Sequence, residues 1–200
     1  MMKGATAKSR MKKILLLLTF ASVSALSAYG QQPAPTPDPS LPPAWLKIAP
    51  ANGGFTILFP GKPEESASPV EGRPGIENHL LMFETKTAGY VVSYVEFPEE
   101  VTDAAHIKRI LDSGREGGLA AGKAELVSEK DIKLDGYTGR EWSLKMPGGL
   151  VGITRAYWVK RALYQTIVIT NPAESDSAEL IKTRAEAGAK FLNSFALTAK

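Results

Sequence analysis

The chain has 200 residues, 44% of them hydrophobic, with no cysteine and a formal net charge of +3. Without cysteine there is no disulfide framework, no thiolate metal site and no lipid-attachment cysteine, so a folded part must hold together by packing. The positive charge belongs to the leader: Lys3, Lys8, Arg10, Lys12 and Lys13 stand there without an acid, and setting those five aside leaves 19 Lys and Arg against 21 Asp and Glu, a net of about −2, with no cluster of Lys and Arg of the kind a nucleic-acid footprint needs.

The basic start leads into an apolar run from Ile14 through Leu26 that closes on Ser27-Ala28-Tyr29-Gly30. A basic n-region, an h-region and small residues at Ala28 and Gly30 are the pattern of a secretory signal peptide over residues 1–30, cleaved near Gly30-Gln31. Thr19, Ser22 and Ser24 break the run, which falls short of the roughly 20 apolar residues of a spanning helix; an uncleaved anchor is the alternative. Met11-Lys12-Lys13 would itself make a complete signal start, so Met1 and Met11 both stand as starts.

Residues 31–44 hold 6 of the 14 prolines and almost nothing to bury. They read as a polyproline-type spacer, about 3.1 Å per residue and so roughly 40 Å at full reach; a ligand for a proline-reading domain is the alternative. Residues 45–200 are then expected to form one α+β domain, a size that buries a substantial core.

Within it, Phe55, Ile57 and Phe59 alternate as a strand stopped by Pro60-Gly61-Lys62-Pro63, and a polar stretch runs on to Glu77. Residues 79–85 and 90–97 read as strands joined by a short hairpin loop around Gly89. A helix follows, with Thr102 or Asp103 as cap, acids in its first turn, and Ile107, Ile110, Leu111 and Gly114 on one face; Gly117, Gly118 and Gly122 are expected to dissolve its end. Four strands come next, over 124–134, 140–146, 150–160 and 163–170. Asp135-Gly136 between the first two calls for a type I′ turn, and Pro147-Gly148-Gly149 makes the next turn. The last element is a helix whose Asp176 and Glu179 have capping-box spacing, with Leu180, Ala187, Phe191 and Phe195 as its apolar stripe. Short hairpins force antiparallel neighbours, so the expected fold is α+β, a mainly antiparallel sheet of about seven strands flanked by helices.

Several local signatures carry a resemblance: Gly53-Gly54-Phe55 leading to Phe59-Pro60-Gly61-Lys62-Pro63; Asp135-Gly136-Tyr137-Thr138-Gly139-Arg140-Glu141; Arg155-x-Tyr157 with Leu163-Tyr164-Gln165; and Phe191-Leu192-Asn193-Ser194-Phe195. Over nearly all of residues 45–200 the chain resembles the PsbP-like and DcrB-like group of exported bacterial domains. That resemblance implies an α-β-α sandwich around an antiparallel sheet and, since the group consists mostly of extrinsic or envelope-associated binding subunits, no particular activity. It carries no catalytic residue onto this chain.

Motifs of chemistry are few. There is no Gly-x-Ser-x-Gly elbow, and the glycine-rich stretch 114–122 lacks the Lys-Ser/Thr of a phosphate loop. No catalytic residue and no cofactor is expected. Only His79 and His106 are available as imidazole ligands; Glu99, Glu100, Asp103 and His106 form the one weak candidate metal cluster, with acids complementing a helix dipole as the plainer reading. Arg140 shares a strand face with Trp142, Leu144 and Met146, and Arg155 with Val151, Ile153, Tyr157 and Val159. A charge on an apolar face must be paired or reach an edge, so these arginines either receive an anionic ligand or partner carboxylate, or form an internal salt bridge. Tyr157 and Trp158 are further candidates for partner binding, although alternation places them on opposite faces.

The expected function is an exported, non-catalytic binding or accessory module of the cell envelope, periplasmic or extracellular, partnered by another envelope protein or a small ligand, with no nucleic acid and no membrane span once the signal is removed. An enzyme with an unrecognised carboxylate/arginine site is the alternative, and a structural protein without a ligand a third possibility.

Overall fold

A computed structural model describes residues 45–172 and 176–198; the expected signal peptide and spacer lie outside them. Ten strands and two helices are described: β1 (Leu46–Ile48), β2 (Phe55–Phe59), β3 (Glu64–Pro69), β4 (Glu77–Glu84), β5 (Ala88–Glu96), α1 (Ala104–Gly122), β6 (Glu125–Leu134), β7 (Tyr137–Lys145), β8 (Val151–Val159), β9 (Ala162–Thr170), α2 (Ala178–Asn193) and β10 (Ala196–Leu197). Seven strands make one antiparallel sheet in the order β3-β4-β5-β9-β8-β7-β6. The chain builds inward from the β3 edge through β4 to β5, crosses one face as α1 to the far edge at β6, and fills back by three hairpins until β9 meets β5.

The central strands β5 and β9 are buried on both faces, which is why they read as nearly unbroken apolar runs. On one face Val91, Trp142, Leu144, Ala156, Trp158, Leu163 and Ile169 pack beneath Leu111 of α1. On the other, Tyr90, Val92, Tyr94, Tyr157 and Tyr164 pack beneath α2 and a three-stranded sheet of order β1-β2-β10. There the first and last sequence signatures meet: Phe55 packs on Phe195 at 5.1 Å and Phe59 on Phe191 at 5.0 Å. Ser194 Oγ accepts from Leu58 N at 2.9 Å, and the buried Tyr164 hydroxyl donates to Gly53 O at 2.8 Å, pinning β2 to its cover and to the sheet.

The expected α+β architecture with an antiparallel sheet is what the chain adopts, with four local corrections. Phe55–Phe59 belongs to the small sheet, and its place in the large one is taken by β3, inside the stretch read as polar loop. Helix α1 runs past Gly117 and Gly118 and closes at Lys123, whose left-handed φ of 48° lets its N–H reach Leu119 and Ala120 carbonyls; Asp103 caps the start and no acid sits in the first turn. Ser177, rather than Asp176, caps α2, because Asp176 pairs with Arg184. Finally, only the second half of α2 buries its stripe, through Gly188, Phe191 and Leu192, while Leu180 and Ile181 stay exposed. The Asp135-Gly136 turn has φ of 49° and 86°, the two positive values that the type I′ turn requires.

Phe191 is fully buried against Phe59 and Tyr90, so Phe191→Ala is expected to cost about 3–5 kcal/mol in urea unfolding. Conversely, a Cβ on Gly117 meets nothing within 4 Å, and Gly117→Ala is expected to raise stability by about 0.5–1 kcal/mol; a lowered unfolding midpoint would show that α1 ends before it.

Candidate functional site

Arg140 lies on the α1 side of β7, where the sheet approaches its β6 edge. Its side chain is only 8% exposed and meets three carboxylates: Asp112 from α1, Glu129 at 2.9 Å and Asp131 at 3.3 Å, both from β6. Arg115 bridges Asp112 at 3.3 Å and Glu129 at 2.7 Å, and Lys108 reaches Asp112 at 2.9 Å. The hydrogen bond from Lys108 holds the Asp112 carboxyl below the ordinary carboxylate range, and the hydrogen bond and charge of Arg140 add to it against the opposing effect of burial. This network joins the helix to the sheet edge.

On the other face the register aligns Lys130, Glu141 and Arg155 across β6, β7 and β8. Glu141 accepts from Lys130 at 2.8 Å and from Arg155 Nε at 2.6 Å, while Arg155 Nη1 donates to Asn193 Oδ1 at 2.8 Å. Burial alone would push Glu141 up; the two cations outweigh it and hold the carboxyl low. Both predicted arginines are thus engaged by carboxylates of the same chain.

Tyr157 and Trp158 are separated by the sheet. Tyr157 is buried in the α2-side core, stacked on Phe195 at 5.9 Å and seated against Gly139, where a Cβ would come 2.4 Å from its ring; burial pushes its hydroxyl up. Trp158 lies on the α1 side, its Nε1–H donating to Val101 O at 2.9 Å and its ring 5.5 Å from Phe97.

Beside Trp158 opens a cleft of about 620 Å³ between the first half of α1 and the ends of β5 and β9. Val95, Leu163 and Trp158 give it an apolar floor, with Phe97, Val101 and Ile110 on its walls. Helix α1 contributes His106, Arg109, Ile110 and Ser113, the i, i+3, i+4, i+7 positions of one face. Arg73, from the loop between β3 and β4, completes the rim, lying over the Phe97 ring at 5.5 Å. The loop from β5 to α1 is fastened to the β8–β9 turn by Phe97 N–H to Arg161 O at 2.8 Å and Val101 N–H to Lys160 O at 3.3 Å. A smaller hollow of about 410 Å³ lies over Arg140, lined by Lys108, Asp131 and Lys133 among others.

The four residues of the candidate metal cluster are divided. Glu99 and His106 line the cleft, the Asp103 carboxylate accepts the His106 backbone N–H at 2.7 Å as the helix cap, and Glu100 does not face the cleft. Among the described residues no group of three or more His, Asp and Glu is placed to hold a metal ion. Sequence reasoning missed Arg73 and Arg109. For Arg109 the signal was present, since helical spacing sets it beside Ile110; for Arg73 there was none.

No family model matches the sequence, and no curated protein does. Among solved structures, cyanobacterial PsbP (CyanoP) from Synechocystis sp. PCC 6803 aligns over 80% of this chain and 96% of its own, with a TM-score of 0.52 at 14% identity. The fold is PsbP-like. A protein of unknown function from Pseudomonas aeruginosa, PA94, aligns over 72% of this chain and 94% of its own at 13% identity, with a TM-score of 0.37. At 14% identity the likeness to CyanoP is one of fold, so what the PsbP-like scaffold does in this chain rests on its own side chains. Among the described residues no helix is long and apolar enough to cross a membrane.

Asp112 and Glu141 both have folded pKa values lowered from their ordinary ones. The stability they contribute is complete above the ordinary carboxylate range and is lost as pH falls below that range, through their lowered folded values. Asp112→Asn is expected to flatten this acid limb in urea titrations between about pH 2.5 and 6. Arg140→Met, which leaves Asp112 and Glu129 to Arg115 and Lys108, is expected to cost about 1–3 kcal/mol at neutral pH, less than breaking a fully buried pair because both acids keep a cation and some exposure.

Proposed function

We propose that this chain is an exported, non-catalytic accessory module of the cell envelope, released by cleavage near Gly30-Gln31 into the periplasm or beyond and carried on the proline-rich spacer 31–44. The folded part, residues 45 to the C-terminus, acts as one domain that binds either another envelope protein or a small ligand. The observation that carries the reading is the contrast between the two kinds of ionic group. The arginines of the sheet, Arg140 and Arg155, are neutralised by carboxylates of the same chain, whereas the concave surface beside α1 is apolar with a cationic rim. A recognition surface has that composition: apolar walls with a few polar groups to orient what binds. The PsbP-like fold is consistent with it.

The competing reading, an enzyme working through carboxylates and arginines, would draw on Arg140 or Arg155. Their acids already hold them at 2.6–3.3 Å, and engaging substrate would first require breaking those pairs.

Crosslinking and pull-down of the processed protein from envelope extract is expected to recover one stoichiometric partner, and N-terminal sequencing of the processed form to begin near Gln31. A monomer that captures nothing and turns over a metabolite panel would replace the module with an enzyme.

A further inference from the structure

Seven arginines lie within the described residues, and five of them reach carboxylates: Arg115, Arg140, Arg155, Arg161 and Arg184. Arg73 and Arg109 have no carboxylate within salt-bridge distance among the described residues, and both line the cleft beside Trp158, arriving from separate parts of the chain. A guanidinium is always charged and presents its N–H groups in a planar fork shaped for a carboxylate. Arg73 lies over Phe97, its Cζ 5.5 Å from the ring centroid, a contact that uses no carboxylate. His106 stands on the same face of α1, one turn before Arg109, and Glu99 is the single acid of the lining. Two permanent cations against one carboxylate leave the mouth of the cleft positive.

Beneath the mouth the surface changes character. Val95, Leu163 and Ile110 offer only hydrocarbon, and the one polar group of Trp158 is already bonded to Val101 O. The floor therefore asks for no hydrogen bond and favours an apolar group that displaces water from it. The volume of about 620 Å³ lies within the range of small-molecule sites.

The geometry points to a small anionic amphiphile as the ligand of this cleft: a carboxylate gripped by Arg73 and Arg109 at the mouth, with an aliphatic chain laid on Trp158 and Leu163. Charge complementarity selects the head group and the dry floor selects the tail, so neither half suffices alone. This assignment rests on the reading of the chain as a binding module, and adds the chemical class of what it binds.

Titration calorimetry with monomeric dodecanoate is the test, with dodecanol as the uncharged counterpart. Saturable binding of one dodecanoate is expected, at least tenfold tighter than dodecanol. Arg73→Gln and Arg109→Gln are each expected to weaken it about tenfold and together to abolish it, with thermal midpoints unchanged because neither arginine holds an internal ion pair. Arg161→Gln, which breaks the pair with Glu96 outside the cleft, is expected to leave binding as it was. Equal affinity for dodecanol, insensitivity to the arginine variants, or binding to phosphatidylglycerol vesicles without binding of the monomer would each overturn the ligand class. The two readings fail separately: a captured envelope partner with no dodecanoate binding removes the ligand and leaves the module. Turnover of a metabolite panel beside intact, arginine-dependent dodecanoate binding removes the module and leaves the ligand.

Discussion

The constraint on which the rest depends is the two-sided burial of β5 and β9. Val91, Val92 and Ile169 have essentially no exposed surface, so neither face of the sheet centre tolerates water and each needs a cover. Helix α1 covers one face while solving a connection problem. It leaves the end of β5 and delivers the chain to β6, four strand spacings away, which is about 19 Å. A helix of 19 residues is about 28 Å long, enough to cross obliquely. The other face takes two pieces, α2 and the small sheet, because α2 buries only its second half. Phe55, Ile57 and Phe59 of β2 fill what remains.

The ionic networks follow from where that burial ends. Toward the β6 edge the sheet passes from core to solvent, and Arg140 stands at the boundary with its stem covered and its head reaching Asp112, Glu129 and Asp131. Since Asp112 belongs to α1 and Glu129 to β6, the cluster makes the helix position and the edge strand mutually dependent. The edge itself carries alternating charges and a bulge between Leu126 and Ser128, features that discourage further strands from pairing there. On the opposite face Arg155 joins Glu141 to Asn193, at the end of α2, so each helix is fastened to the sheet through arginines. Groups so committed shape the scaffold; among the described arginines, the two without a carboxylate partner, Arg73 and Arg109, line the cleft.

The cleft is a product of the α1 crossing. At mid-helix Gly114 allows close approach, its missing Cβ falling 3.3 Å from Gln165 Nε2. Toward the N-terminal end, Phe97 and Trp158 share the space with the loop that leads into the helix, and the apolar floor between them stays open. A site of this kind needs α1, two strand ends and a distant loop to come together, and none of those segments announces it.

Local chemistry was legible in the residues. Asp135-Gly136 dictated its own turn, alternation placed β2, β4, β5 and β7 to β9, apolar spacing located both helices, and the fold class followed from hairpins too short to permit anything but antiparallel pairing. What escaped were features whose cause lies elsewhere in the chain. Strand β3 is exposed along its whole length, so it has no hydrophobic period to read, and it is extended only because β4 offers it a ladder. The glycines of α1 stay helical because Gly118 and Gly122 are buried and Lys123 supplies the left-handed cap. Asp176 loses the cap of α2 to Ser177 because Arg184 claims it. Periodicity could say that Arg140 must find a charge, yet only the folded chain brings Asp112, 28 residues away, to meet it. Only the folded chain leaves Arg73 and Arg109 facing one apolar hollow, since residue spacing encodes which side a residue faces and never what stands opposite.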